Sequence, residues 1–203
     1  MPSIEIPPLL AILRGLTPAE AGPVGAALYD AGVRCIEVPL NSPEPLDSIR
    51  ILAETFGDRC LIGAGTVLDP AGVDAVKAAG GALIVTPNTN TAVIERAIAL
   101  GLAVVPGFAT ATEAFTAIKA GARALKLFPA STYGPGHLKA LKSVLPKDVS
   151  VYTTGGVGAP DFAAWRAAGA SGFGVGGELY RPGDKPEAVG EKARALVKAL
   201  EAL

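Results

Sequence analysis

The chain repeats one phrase eight times: a short apolar run, a turn, then an amphipathic helix. The apolar runs are Leu9–Leu13, Cys35–Val38, Leu61–Ala64, Leu83–Val85, Ala103–Val105, Ala124–Phe128, Val149–Tyr152 and Gly172–Val175. Helix starts between them are marked by capping chemistry. Thr17-Pro-Ala-Glu20 and Thr110-Ala-Thr-Glu113 fit the capping box, in which Thr caps a free N–H and Glu reaches back. Asp69-Pro70 and Ala159-Pro160 put proline early in a helix, where a missing N–H costs little. Gly32, Gly80, Gly101, Gly121 and Gly169 stand where left-handed helix ends are expected. A last helix is expected from about Pro186 to Ala202, packed on the bottom or wall.

Strand–helix units recurring at this pace give a parallel sheet with right-handed crossovers. Eight of them in 203 residues favour closure over an open doubly wound sheet, because every strand then has two neighbours. No GxGxxG fingerprint opens the chain to argue for the open form. The expectation is a single-domain (β/α)₈ TIM barrel over residues 1–203. Half the residues are apolar, mostly aliphatic, and aromatics are only 5%, which suits strands buried on both faces.

Composition excludes several roles. Lys+Arg 18 against Asp+Glu 19 leaves no basic excess for nucleic acid. No stretch reaches the ~18 apolar residues of a membrane span, and the first residues lack the basic start of a signal peptide, so a cytoplasmic setting is expected. Cys35 and Cys60 lie in apolar runs and read as core residues. One histidine, His137, reads as exposed or structural, and so small a stock of His argues against a metal-dependent site.

In a barrel, chemistry sits at the carboxyl ends of the strands, so charges inside or just after the apolar runs are informative. Lys126 lies in Ala-Leu-Lys-Leu-Phe-Pro. Residues two apart share a face of a strand, which groups Ala124, Lys126 and Phe128 toward the interior and the leucines toward the helices. Burial favours the neutral amine that attacks carbonyls, whereas a free lysine is only about 0.04% neutral at pH 7. A structural ion pair or a chain snorkelling to the rim is the competing explanation. Glu37, in Cys-Ile-Glu-Val-Pro, is inward by the same parity. It fits either a proton shuttle beside an amine or a structural partner of Lys126 or Arg14. Arg14, after the first run, suits a carboxylate or phosphate, with a salt bridge to Glu37 as the alternative. Thr66 and Thr86-Pro87-Asn88 end the third and fourth runs. Gly155-Gly156 follows the seventh and Gly174-Val-Gly-Gly177 the eighth, where barrels often bind phosphate through backbone N–H groups or merely turn tightly.

Over nearly its whole length the chain resembles the 2-keto-3-deoxy-6-phosphogluconate (KDPG) and 2-keto-3-deoxy-6-phosphogalactonate (KDPGal) aldolases. The matching stretches are AILRG, IEVPLNSP, IGAGTVL, IVTPN, PGFATATEAFTAIKAGA, ALKLFPAS, GPGHLKALKSVLP and TGGV. VPLNSP and FPAS…GP look more like the phosphogalactonate branch. The resemblance implies Schiff-base cleavage of the phosphorylated 2-keto-3-deoxy sugar acid to pyruvate and D-glyceraldehyde 3-phosphate. It implies Lys126 as the Schiff-base lysine and Glu37 as general acid/base. Arg14, Thr66, Pro87 and Thr154 would meet the substrate, with Gly155, Gly156, Gly176 and Gly177 around the 6-phosphate. No metal or cofactor is implied, and the family is a homotrimer. Two positions depart, one from the phosphogalactonate pattern and one from the family's. Thr154 replaces the usual valine and looks like the phosphogluconate branch, where it helps read the C4 configuration. Gly177 replaces a common serine, removing one phosphate ligand but keeping backbone donors. Two alternatives stay open: an aldolase for an unphosphorylated 2-oxo acid such as 4-hydroxy-2-oxoglutarate, and a non-catalytic barrel that binds a sugar-acid phosphate.

Overall fold

A computed structural model describes residues 5–203. Its strands are β1 (Leu9–Ile12), β2 (Cys35–Pro39), β3 (Leu61–Gly65), β4 (Leu83–Val85), β5 (Ala103–Val105), β6 (Gly107–Phe108), β7 (Ala124–Leu127), β8 (Ser150–Thr154) and β9 (Gly172–Val175). Between and after them run α1 (Pro18–Asp30), α2 (Pro45–Phe56), α3 (Pro70–Ala78), α4 (Thr91–Ala99), α5 (Ala111–Lys119), α6 (Ala130–Lys142), α7 (Phe162–Ala167) and α8 (Pro186–Glu201). All pairings are parallel, in the order β5-β4-β3-β2-β1-β9-β8-β7-β6.

The two ends of that order are one strand. β5 and β6 are separated by Pro106 alone, whose missing N–H interrupts the ladder. Its carbonyl still accepts from Lys126 N at 2.8 Å, while Val105 O accepts from Thr86 N at 3.3 Å. The fifth strand therefore meets β4 through its first half and β7 through its second, and the (β/α)₈ barrel closes. From the sequence alone the run ends at Val105, since Pro-Gly favours a turn. The seventh apolar run also extends further than expected, through the β-branched Thr153 and Thr154, so Thr154 stands on the ladder opposite Gly174.

Helix ends follow the capping chemistry. Glu20 accepts from the backbone N–H and the hydroxyl of Thr17, and Glu113 does the same for Thr110, which caps Glu113 N in return. Asp69 caps Gly72 N at 2.7 Å. All five glycines expected at helix ends have φ between +69° and +105°. The last helix packs on the wall: a Cβ on Gly32, after α1, would lie 3.4 Å from Val197 of α8.

Period-two alternation divides the core in two. Ile36, Val38, Leu125 and Leu127 join the large layer between strands and helices. Leu10, Cys35, Leu83, Ala124 and Tyr152 fill the barrel interior. Tyr152 points to the amino-terminal mouth, where its hydroxyl donates to Ile6 O at 2.6 Å. The interior is apolar toward that end, and Glu37, Lys126 and Thr154 occupy the carboxyl-terminal half. Both cysteines are free and buried, as a core role requires.

Candidate active site

Lys126 and Glu37 are given room by glycine. Lys126 pairs in register with Gly107 on β6, and Glu37 with Gly63 on β3. A Cβ on Gly65, one step toward the rim on the same face, would lie 2.0 Å from Glu37 Oε2. The carboxylate thus occupies the space that a side chain at position 65 would take. Glu37 is 1% exposed and Lys126 7%. Parity aims both inward, and the absence of neighbouring side chains lets both fit.

Among the described residues neither group has a salt-bridge partner, and Glu37 Oε2 has no hydrogen-bond partner. Burial consequently dominates both titrations. It pushes Glu37 up to about 7, against the pull of Lys126, Arg14 and a hydrogen bond from the Gly65 backbone. Burial pushes the Lys126 amine down; Glu37 opposes this and the positive charge of Arg14 adds to it. Lys126 Nζ lies 5.0 Å from the centre of the Phe128 ring. The pair combines an amine biased toward its neutral form with a carboxyl poised to exchange a proton near neutrality.

Lys126 opens into a cavity of about 290 Å³ at the carboxyl end of the barrel. Its wall includes Arg14, Thr66, Pro87, Thr154, Gly155, Gly156, Gly176 and Gly177. The structure thus brings together every substrate-contacting position expected from the sequence, with Glu37 just beneath the wall. Thr154 is 4% exposed and its hydroxyl is without a partner. Thr66, in the cavity wall, holds a left-handed backbone at φ 56°, uncommon for a β-branched residue. Gly156, at φ 68°, passes so close to Ser131 that a Cβ would meet it at 2.7 Å. At Gly177 a Cβ would meet nothing within 4 Å, so the space of a serine side chain stands open. A larger cavity of about 890 Å³ lies at the opposite mouth, where Arg123, Asp148 and Arg166 bond one another or nearby backbone. Its lining includes Glu5 and Asp148 but no lysine.

Two sequence expectations resolve differently from their alternatives. Arg14 does not bridge to Glu37: it donates to Asn41 Oδ1 at 2.5 Å and toward Thr66 Oγ1 at 3.5 Å. His137 is structural, its Nε2 2.6 Å from Ala109 O and its ring stacked on Tyr133. Sequence reasoning did not single out Asn41, although a polar residue just past the second strand, at the same rim as Arg14, carried the signal. Among the described residues, His, Cys, Asp and Glu form no group of three able to hold a metal, and no helix is long and apolar enough to cross a membrane.

Fold and cavity together define a (β/α)₈ barrel with a buried lysine in a cavity at its carboxyl end. More narrowly, the chain belongs to the KDPG and KHG aldolase family, whose pattern matches residues 3–187. It is 53% identical, over 95% of this chain and 94% of the relative, to 2-dehydro-3-deoxy-6-phosphogalactonate aldolase of Escherichia coli K12. The native KDPGal structure superposes with a TM-score of 0.96 at 50% identity, covering 100% of this chain and 98% of the other. KDPG aldolase of Legionella pneumophila, captured with pyruvate as a covalent carbinolamine, superposes with a TM-score of 0.85 at 26% identity, covering 93% of each chain.

Proposed function

We propose that this protein is a class I aldolase that cleaves 2-dehydro-3-deoxy-6-phosphogalactonate to pyruvate and D-glyceraldehyde 3-phosphate through a Schiff base on Lys126. The observation that carries this reading is a buried amine, pushed toward its neutral form and opening into the cavity, with a buried carboxyl close enough to act on it and raised to about 7. The lysine attacks the C2 carbonyl to form a carbinolamine. Glu37 donates the proton that lets water leave, giving an iminium. The resulting carboxylate takes the C4 hydroxyl proton, the C3–C4 bond breaks, and its electron pair moves to the iminium nitrogen. D-Glyceraldehyde 3-phosphate departs, the enamine regains a proton at C3 from Glu37, and water releases pyruvate. The iminium serves as the electron sink, so the scheme uses no metal or added cofactor.

Arg14 and Thr66 take the anionic end of the substrate, and Pro87 supplies an apolar wall. Thr154 faces the carbon-chain hydroxyls, and the backbone at Gly155, Gly156, Gly176 and Gly177 receives the 6-phosphate. The reading includes a homotrimer in the cytoplasm, consistent with two unpaired cysteines. The identity of the E. coli relative and the carbinolamine of the Legionella enzyme support the aldolase chemistry. Open space at Gly177 favours a second substrate, the unphosphorylated 4-hydroxy-2-oxoglutarate.

Incubation with pyruvate and borohydride, followed by intact mass and peptide mapping, is the test. One adduct on Lys126, absent from Lys126→Gln, is expected; folded protein that forms no adduct ends the Schiff-base reading. Cleavage assays on both C4 epimers, and on substrates with and without phosphate, then choose among the sugars.

A further inference from the structure

The cation at the mouth of the cavity is held by a residue to which no role has been given so far. Arg14 is exposed, and a free arginine side chain there would sample many rotamers. Its backbone is fixed from below. Gly15 N donates to Ser42 Oγ at 2.9 Å, Ser42 is itself buried, and a Cβ on Gly15 would lie 2.6 Å from Pro182. Its guanidinium is fixed from the side by Asn41 Oδ1 at 2.5 Å. A guanidinium has donors only, so the amide oxygen must face it. Residues 41 and 42, on the loop after β2, thereby hold both the side chain and the turn of the loop after β1.

We propose that Asn41 is a positioning residue that aims Arg14 at an anionic group of the substrate without neutralising it. This rests on the aldolase reading above. A carboxylate at position 41 would hold Arg14 equally well but would cancel the charge the substrate needs. A neutral amide restrains one nitrogen and leaves other N–H groups of the fork for a carboxylate or phosphate. Thr66 Oγ1, 3.5 Å from the second terminal nitrogen, stands where it shares that ligand.

A double-mutant cycle tests this with the full-length protein: wild type, Asn41→Ala, Arg14→Ala and the double variant. KM and kcat are measured for cleavage of the phosphorylated sugar acid, and pyruvate trapping is measured alongside. Asn41→Ala is expected to raise KM roughly fivefold with kcat within about twofold, the scale of one exposed charged hydrogen bond. In the Arg14→Ala background it should change nothing further, since its effect runs through the guanidinium. Asn41→Asp should raise KM as well, because geometry is kept and charge is lost. An unchanged KM in Asn41→Ala, an Asp variant equal to wild type, or an equal increment in the Arg14→Ala background overturns the proposal. With trapping on Lys126 intact, such a result removes Asn41 alone; a wild type that fails to trap pyruvate removes the aldolase reading and this proposal with it.

Discussion

Three charges in one small space, Lys126, Glu37 and Arg14, act on one another with opposite signs, and this makes the lysine's titration a sensitive probe of the arrangement. Glu37 raises the Lys126 pKa and Arg14 lowers it. Glu37→Gln removes the raising charge, so the neutral amine forms at lower pH. Arg14→Ala removes the lowering charge, so it forms at higher pH. The pH midpoint for borohydride trapping with pyruvate is therefore expected to move down in the first variant and up in the second. Shifts in the same direction would mean that the carboxylate and guanidinium do not both act on the amine. Turnover responds differently, because it needs the proton shuttle as well. Glu37→Gln should slow cleavage by about 10²–10⁴-fold, the usual scale of a positioned acid–base group. A loss under threefold would leave Glu37 a purely structural residue.

At the level of single strands, much of this arrangement is legible in the sequence because the side-chain period is two. A charge flanked by apolar neighbours, as in Ala-Leu-Lys-Leu and Cys-Ile-Glu-Val, points inward when its neighbours belong to the helix layer. Period alone does not reveal which strands touch. The place of Gly65 beside the Glu37 carboxylate is a register fact of β2 against β3, and the bond from Arg14 to Asn41 joins residues 27 apart on two rim loops. The continuation of the fifth strand past Pro106 is hidden for a related reason: proline and glycine read as a turn, and only the carbonyl of Pro106 pairing with β7 makes them barrel. The two glycines of β3 illustrate the distinction. A Cβ on Gly63 would meet the Leu83 backbone carbonyl at 2.0 Å, which cannot yield without breaking the sheet. A Cβ on Gly65 meets only the end of the Glu37 side chain. Gly63→Ala is expected to abolish soluble folded protein. Gly65→Ala should fold, as judged by circular dichroism, yet lose turnover on the scale of Glu37→Gln. Wild-type turnover in Gly65→Ala would show that Glu37 does not need its present position.

For the molecule as a whole, housing a carboxyl and an amine inside a barrel opposes stability, and the opposition has a definite pH signature. The Glu37 pKa rises from 4.5 to about 7 on folding. Between those values the native state keeps a proton that the unfolded chain has already released. Stability contributed by this site therefore falls as pH rises through the window, and the loss is complete above about 7. For a carboxyl this deeply buried the loss is about 3 kcal/mol, taking one pKa unit as roughly 1.4 kcal/mol. The amine works in the other direction: with its pKa lowered, its burden is present below that value and is relieved as pH rises through it toward 10.5. Glu37→Gln leaves the cavity shape nearly unchanged and removes the first contribution. It also lowers the Lys126 pKa further, which adds a burden from the amine that does not vary with pH until the amine itself titrates. The variant's melting temperature, measured beside wild type at one protein concentration, should gain steadily on wild type as pH rises from 4.5 to about 7. A margin that is constant across the window, or that shrinks with rising pH, would mean that the folded barrel does not disfavour the charged carboxylate. Growth of the margin, together with loss of turnover in the same variant, would locate the opposition between stability and chemistry at a single side chain.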